Sequence, residues 1–159
     1  MKTPNKSPAE KMRELRTGWL SIIPEPGSYT DDDEVVAVVM DWPLEEQIVT
    51  VLSSSGGDAS LYTTSTFGII GGIAHENVRK AAVEFVGCAQ HFLSITRPTT
   101  TYPYPDSQTL RLYMVTASGV RTVSFPMSEI EQSDSPAQVL FAYGQQVVTE
   151  LRLITPNQQ

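Results

Sequence analysis

The residues with the most chemical potential lie just before the best helix of the chain, where Thr66-Phe67-Gly68-Ile69-Ile70-Gly71-Gly72-Ile73 leads into His75 and Glu76. Glycines admit positive φ and close backbone approach, and a helix start presents unpaired N–H groups. Gly68, Gly71 and Gly72 could therefore cradle a phosphate or carboxylate. His75 would serve as an acid or base near neutral pH, and Glu76 sits favourably against the helix dipole. The P-loop and dinucleotide fingerprints are both missing, because no Gly-Lys-Ser/Thr follows and no parallel βαβ unit surrounds the glycines. The stronger reading is a packing junction, in which Gly71 and Gly72 turn the chain while Ile69, Ile70 and Ile73 enter the core. Catalysis at His75 would need a nucleophile or metal from elsewhere. Only their nearness nominates Ser65 and Tyr62, so no catalytic residue is assigned.

Other reactive residue types are scattered. The run Asp31-Asp32-Asp33-Glu34 invites a calcium hypothesis, but the EF-hand spacing and its distal Glu are missing, and a solvated loop accounts for it. One cysteine, Cys88, permits no internal disulfide, and its place in a helical apolar pattern makes it a small buried hydrophobe. One Cys with His75 and His91 cannot build a structural zinc site without carboxylates. His91 reads as a helix-surface or semi-buried residue, and Asp41-Trp42 as a pocket rim or, more simply, a core edge closed by Trp42. No cofactor and no metal are expected.

The 159 residues leave room for one domain with a proper core, being 40% hydrophobic and 18% charged. A net charge of -7 and a pI near 4.7, with dispersed cations, argue against nucleic acid or an anionic membrane as partner. No apolar stretch approaches a membrane span, and MKTPNKSPAEKMRELR lacks the apolar core of a signal peptide, so a cytoplasmic location is expected.

The elements that must position these residues follow from periodicity. Ser7 and Glu10 fit a capping box with Pro8 at the first helical position, opening a short helix with Met12 and Leu15 that must dock to persist. Trp19, Leu20, Ile22 and Ile23 are too apolar for a free tail, and Pro24 to Glu34 is an exposed connector. Val35–Met40 suits a strand buried on both faces, closed by Asp41-Trp42-Pro43. Gln47–Leu52 and Ser60–Thr63 make a hairpin through Ser53-Ser54-Ser55-Gly56-Gly57-Asp58. A helix from about Glu76 to Ile95 places Val78, Ala81, Ala82, Phe85, Ala89, Phe92 and Leu93 on one face. Leu110–Thr116 and Val120–Phe125 form a second hairpin, with Leu110, Leu112 and Met114 facing one way and Arg111, Tyr113 and Val115 the other. Ser135 and Pro136 start a last helix whose buried stripe is Leu140, Tyr143, Val147 and Leu151. The expected fold is α+β, a five-stranded antiparallel meander sheet with a long central helix and a C-terminal helix, the helices gathered mainly on one face. Residues 1–34 form the N-terminal helix and acidic connector, and residues 35–154 a single α+β domain.

Val35-Val36-Ala37-Val38-Val39-Met40-Asp41-Trp42, Ser60-Leu61-Tyr62, Gly68-Ile69-Ile70-Gly71-Gly72, His75-Glu76-Asn77-Val78-Arg79 and Gly119-Val120-Arg121-Thr122 together resemble an uncharacterised family of bacterial proteins. The likeness covers roughly residues 35 to 153 and lends no activity. The element order is more loosely similar to the roadblock, longin and profilin-like folds, although the roadblock order places two strands before the central helix and three after, against three and two here. That likeness implies a dimerisation or docking module. The expected function is a non-catalytic protein-interaction module of the bacterial cytoplasm, with a protein partner or a second copy in a homodimer. The alternative is a small-ligand protein binding an anion or carboxylate at the glycine-rich helix start.

Overall fold

The computed structural model describes residues 6–65, 68–70 and 74–155. Its centre is β1 (Ala37–Leu44), the middle strand of a sheet. Val38 and Met40 face one side of that sheet and Ala37 and Val39 the other, all with no exposure. Burial on both faces explains why the run shows no polar alternation. β2 (Gln47–Ser54) pairs along the whole of β1, from Ala37–Ser54 to Leu44–Gln47. A tight turn with Gly57 at φ 94° returns the chain into β3 (Ala59–Thr63), and the short β4 (Gly68–Ile70) pairs beside it. Helix α2 (Glu76–His91) and a turn of 3-10 helix then lead to β5 (Arg97–Thr99). β6 (Thr109–Thr116) returns to the free side of β1, and β7 (Gly119–Pro126) pairs with β6. The order across the sheet is β4-β3-β2-β1-β6-β7-β5, antiparallel throughout.

The architecture is thus α+β with seven strands where five were expected, four before the central helix and three after it. The two additional strands, β4 and β5, are three residues each, too short to show an alternating pattern. β5 also contains Pro98, which reads locally as a breaker and is tolerated because the strand lies at the sheet edge. The plain meander ends at β1, since β6 crosses to its far side. Pro43 does not close β1 either. The β1–β6 register stops at Asp41–Arg111, so past that point β1 is flanked by β2 alone and behaves as an edge.

Helices α2 and α3 (Pro136–Leu153) pack on the face that carries Val38, Met40, Val51, Leu61, Leu112 and Met114. The inward face of α2 is Val78, Ala81, Ala82, Phe85 and Ala89, joined by Val86 and Cys88. The helix stops at His91 rather than Ile95, with the residues Leu93–Ile95 tightening into the 3-10 turn. Ser135 caps α3 by accepting from the Gln138 N–H at 3.0 Å, with Pro136 in the first turn. Tyr143 is 40% exposed and does not belong to the buried stripe; Gly144 and Val148 do, beside Leu140, Val147 and Leu151. A β-carbon at Gly144 would overlap the Met40 side chain and lie 3.3 Å from Phe85 Cζ, so glycine lets α3 close onto the sheet.

Helix α1 (Pro8–Leu20) lies on the opposite face, so the sheet carries helices on both sides instead of mainly one. Its N-terminus forms as expected: Ser7 Oγ accepts from the Glu10 N–H at 3.2 Å, with Pro8 in the first turn. Leu20 is buried at 2% exposure and Trp19 partly so, but Ile22 and Ile23 are exposed, at 40% and 88%. Among the described residues no helix is long and apolar enough to cross a membrane. The Gly144→Ala variant should lose about 1–3 kcal/mol of stability, because Met40 and Phe85 are already packed in the core. Urea denaturation measures the loss, and an unchanged midpoint would contradict the close approach of α3.

Candidate functional site

The face under α1 carries an unusual row of polar side chains for the centre of a sheet. Register aligns Thr50 on β2, Asp41 on β1, Arg111 on β6 and Ser124 on β7 across it. Asp41 is completely buried. An isolated carboxylate there would be expensive, and α1 supplies the compensation. Met12, Arg16 and Leu20 follow one another at four-residue steps on the inward face of α1, which sets Arg16 over Asp41.

The Arg16 guanidinium grips Asp41 with two prongs, Nη2 to Oδ2 at 2.5 Å and Nε to Oδ1 at 3.2 Å. Thr50 Oγ1 donates a third bond to Oδ1 at 2.7 Å. The remaining Arg16 donors reach the segment that precedes β6: Nη1 to the Tyr102 carbonyl at 2.8 Å and Nη2 to that of Pro103 at 3.5 Å. The Pro103 carbonyl also accepts from Tyr113 Oη at 2.6 Å and Arg111 Nη1 at 3.2 Å. Above the pair, the Tyr104 ring centroid lies 4.2 Å from Arg16 Cζ and the Tyr113 centroid 5.4 Å away. Burial pushes the Asp41 carboxyl above its ordinary pKa, against the pull of Arg16 and Thr50. Burial also opposes the charge on Arg16, but the hydrogen bond and charge of Asp41 outweigh it and raise the Arg16 pKa. Burial raises both phenols as well. These bonds fasten α1 and the loop to the sheet. The arrangement is a clasp, and its Asp41 carboxylate is shut away from solvent.

One flank of the same helix is different. Leu15 and the partly buried Trp19 lie along it and Ile22 follows just past the helix end, Leu15 being 39% exposed and Ile22 40%. They border a groove of about 540 Å³ whose floor and far wall come from Ser54, Asp58, Ser60 and Tyr62 at the β2–β3 end of the sheet. Glu14 stands on its rim, paired with Lys6 at 2.6 Å. A second cleft, about 420 Å³, lies between the connector and α2, where the Gln90 side chain accepts from the Val35 N–H and donates to the Asp33 carbonyl.

Gly68 lies in β4 under α1, where a β-carbon would come 3.1 Å from Met12 Sδ. Gly71 and Gly72, with Ile73, lie outside the described residues. His75 occupies the N-cap position of α2 without a side-chain capping bond, and both it and Glu76 are exposed. None of Gly68, His75 and Glu76 lines the groove or the cleft beside α2. Asp31–Glu34 form an exposed turn, closed by the Glu34 N–H to the Asp31 carbonyl, with Asp33 and Glu34 at the mouth of that cleft. Among the described residues no group of three His, Cys, Asp or Glu side chains could hold a metal ion. Trp42 closes a core edge, its ring meeting Phe141 edge-on at 5.3 Å. The clasp escaped the reading of the sequence. Two signals pointed to it: an aspartate continuing an unbroken apolar run, and an arginine on the apolar stripe of α1.

The chain matches no family model, no curated protein and no solved structure.

Replacing Arg16 with Met should cost about 3–5 kcal/mol, since Asp41 is then buried without its cation. Adding Asp41→Leu should return much of that loss in a urea titration, and a double variant no better than Arg16→Met would refute the clasp. Cys88 is buried, and burial pushes its thiol pKa up to about 11. Iodoacetamide at mildly alkaline pH should therefore label it only once denaturant has opened the fold; rapid labelling of the native protein would contradict this placement.

Proposed function

We propose that the protein is a non-catalytic interaction module that pairs with a second copy of itself through the exposed flank of α1 and the residues just past its end. The observation carrying this reading is the apolar stripe Leu15–Trp19–Ile22 beside the groove, with Ile23 88% exposed just past the helix. Exposed apolar surface next to a concavity marks contact sites more often than chance. The clasp supports the reading too. It holds α1 rigidly from beneath, so the stripe is presented without the entropic cost of ordering a free helix. The Lys6–Glu14 pair offsets one rim charge, which eases the approach of two identical acidic surfaces. Two copies meeting across a two-fold axis would place each stripe against the other's groove, a self-complementary arrangement.

Size-exclusion chromatography with light scattering, across a wide range of protein concentration, tests this directly. The parent chain should populate a dimer, and the double variant Leu15→Glu/Ile22→Glu should be a folded monomer with unchanged circular dichroism. A parent that stays strictly monomeric, or a double variant that dimerises equally well, would remove the proposal.

A further inference from the structure

On the face that bears the clasp, beside it toward the β5 edge of the sheet and sharing Pro103, Arg111 and Tyr113 with it, a small pocket of about 110 Å³ gathers cationic and hydroxyl groups. Register places Arg97 on β5 beside Thr122 on β7, and Thr122 beside Tyr113 on β6, so the three form one row. Arg111 lies two residues along β6 from Tyr113. With strands about 4.8 Å apart, Arg97 and Arg111 originate roughly 12 Å from each other, a span that two arginine side chains close onto a single group. Thr99, Thr101 and Pro103 also form the wall, and among the described residues no acidic side chain lines the pocket.

Two features separate this pocket from an ordinary surface dip. The chain is acidic, at -7, yet here two arginines line one concavity with no acidic residue beside them among the described residues. Two acids that sense Arg111 are accounted for elsewhere. Asp41 is held by Arg16, and Asp106 binds the Gln108 N–H at 2.9 Å; both sense the charge of Arg111 without lining the pocket. The two arginines are also unequal. Arg111 is fixed, its Nε on Ser124 Oγ and its Nη1 on the Pro103 and Tyr104 carbonyls, with Nη2 left over. Arg97 is exposed, and among the described residues its guanidinium has no hydrogen-bonding or ionic partner. One arginine is preorganised and the other is free to close, a pairing suited to forked recognition of an oxyanion.

We propose that this pocket binds a compact oxyanion, a phosphate or carboxylate group, between the Arg97 and Arg111 guanidinium groups. The volume suits one such group.

Isothermal titration calorimetry of the full chain with inorganic phosphate and, separately, with acetate tests the assignment, chloride being used to hold ionic strength constant. Saturable binding at millimolar concentration or below is expected for one of the two anions, and the one that binds identifies the group. Arg97→Gln should weaken it roughly ten- to a hundred-fold, the usual worth of hydrogen bonds to a charged group, with an unchanged melting temperature. Arg97→Lys, which keeps the charge and loses the fork, should fall between, and Lys80→Gln on α2 should bind like the parent. The proposal is overturned if neither anion binds, if Arg97→Gln binds as tightly as the parent, or if Lys80→Gln weakens binding as much as Arg97→Gln.

Discussion

The salt bridge between Arg16 and Asp41 determines how the second face of this sheet is built. The face that receives α2 and α3 is apolar and needs no special chemistry to stay dry. The other receives a thirteen-residue helix, too short to be stable alone, and a loop without regular structure. A buried ion pair is a poor source of net stability, because desolvating two charges consumes most of what their attraction returns. Its value here is positional. The carboxylate accepts three directed bonds, and the guanidinium that satisfies it also reaches two loop carbonyls, so helix, strand and loop have one shared geometry. Apolar packing of Leu20 and Trp19 would tolerate a sliding helix, whereas a two-pronged bridge does not.

What could be read from the sequence was whatever depends on neighbours along the chain. The alternation in β6 assigns Leu110, Leu112 and Met114 to one face and Tyr113 and Val115 to the other, as observed. Ser7 and Ser135 cap the helices expected of them, since a cap is set within one turn. Central burial of β1 is written in its unbroken valines. The illegible part depends on partners distant in sequence. Arg16 and Asp41 are 25 positions apart, and although each is oddly placed in its own element, nothing local says that the one answers the other. Tyr143 and Gly144 exchanged roles because helical periodicity tolerates a rotation of one residue, and only the approach of Met40 decides which of them faces inward.

The division bears on where function resides. The glycine-rich approach to α2 attracted attention because its composition is rare, and composition is what a linear reading detects. The groove outside α1 and the arginine pocket near β5 are assembled from ordinary residues on separate strands, and they exist only through the order in which those strands are laid side by side. A clasped helix with one side on the sheet and the other toward solvent also makes the N-terminal segment part of the folded surface.

Pro98, finally, sits in the outermost strand of the sheet. An edge strand ordinarily presents a row of N–H and C=O groups to which another chain can add, the first step toward fibrils. With only three residues, and a proline nitrogen in the middle one, β5 offers an incoming strand almost no ladder. On that side the sheet is guarded against the open-ended stacking of strand on strand that leads to fibrils.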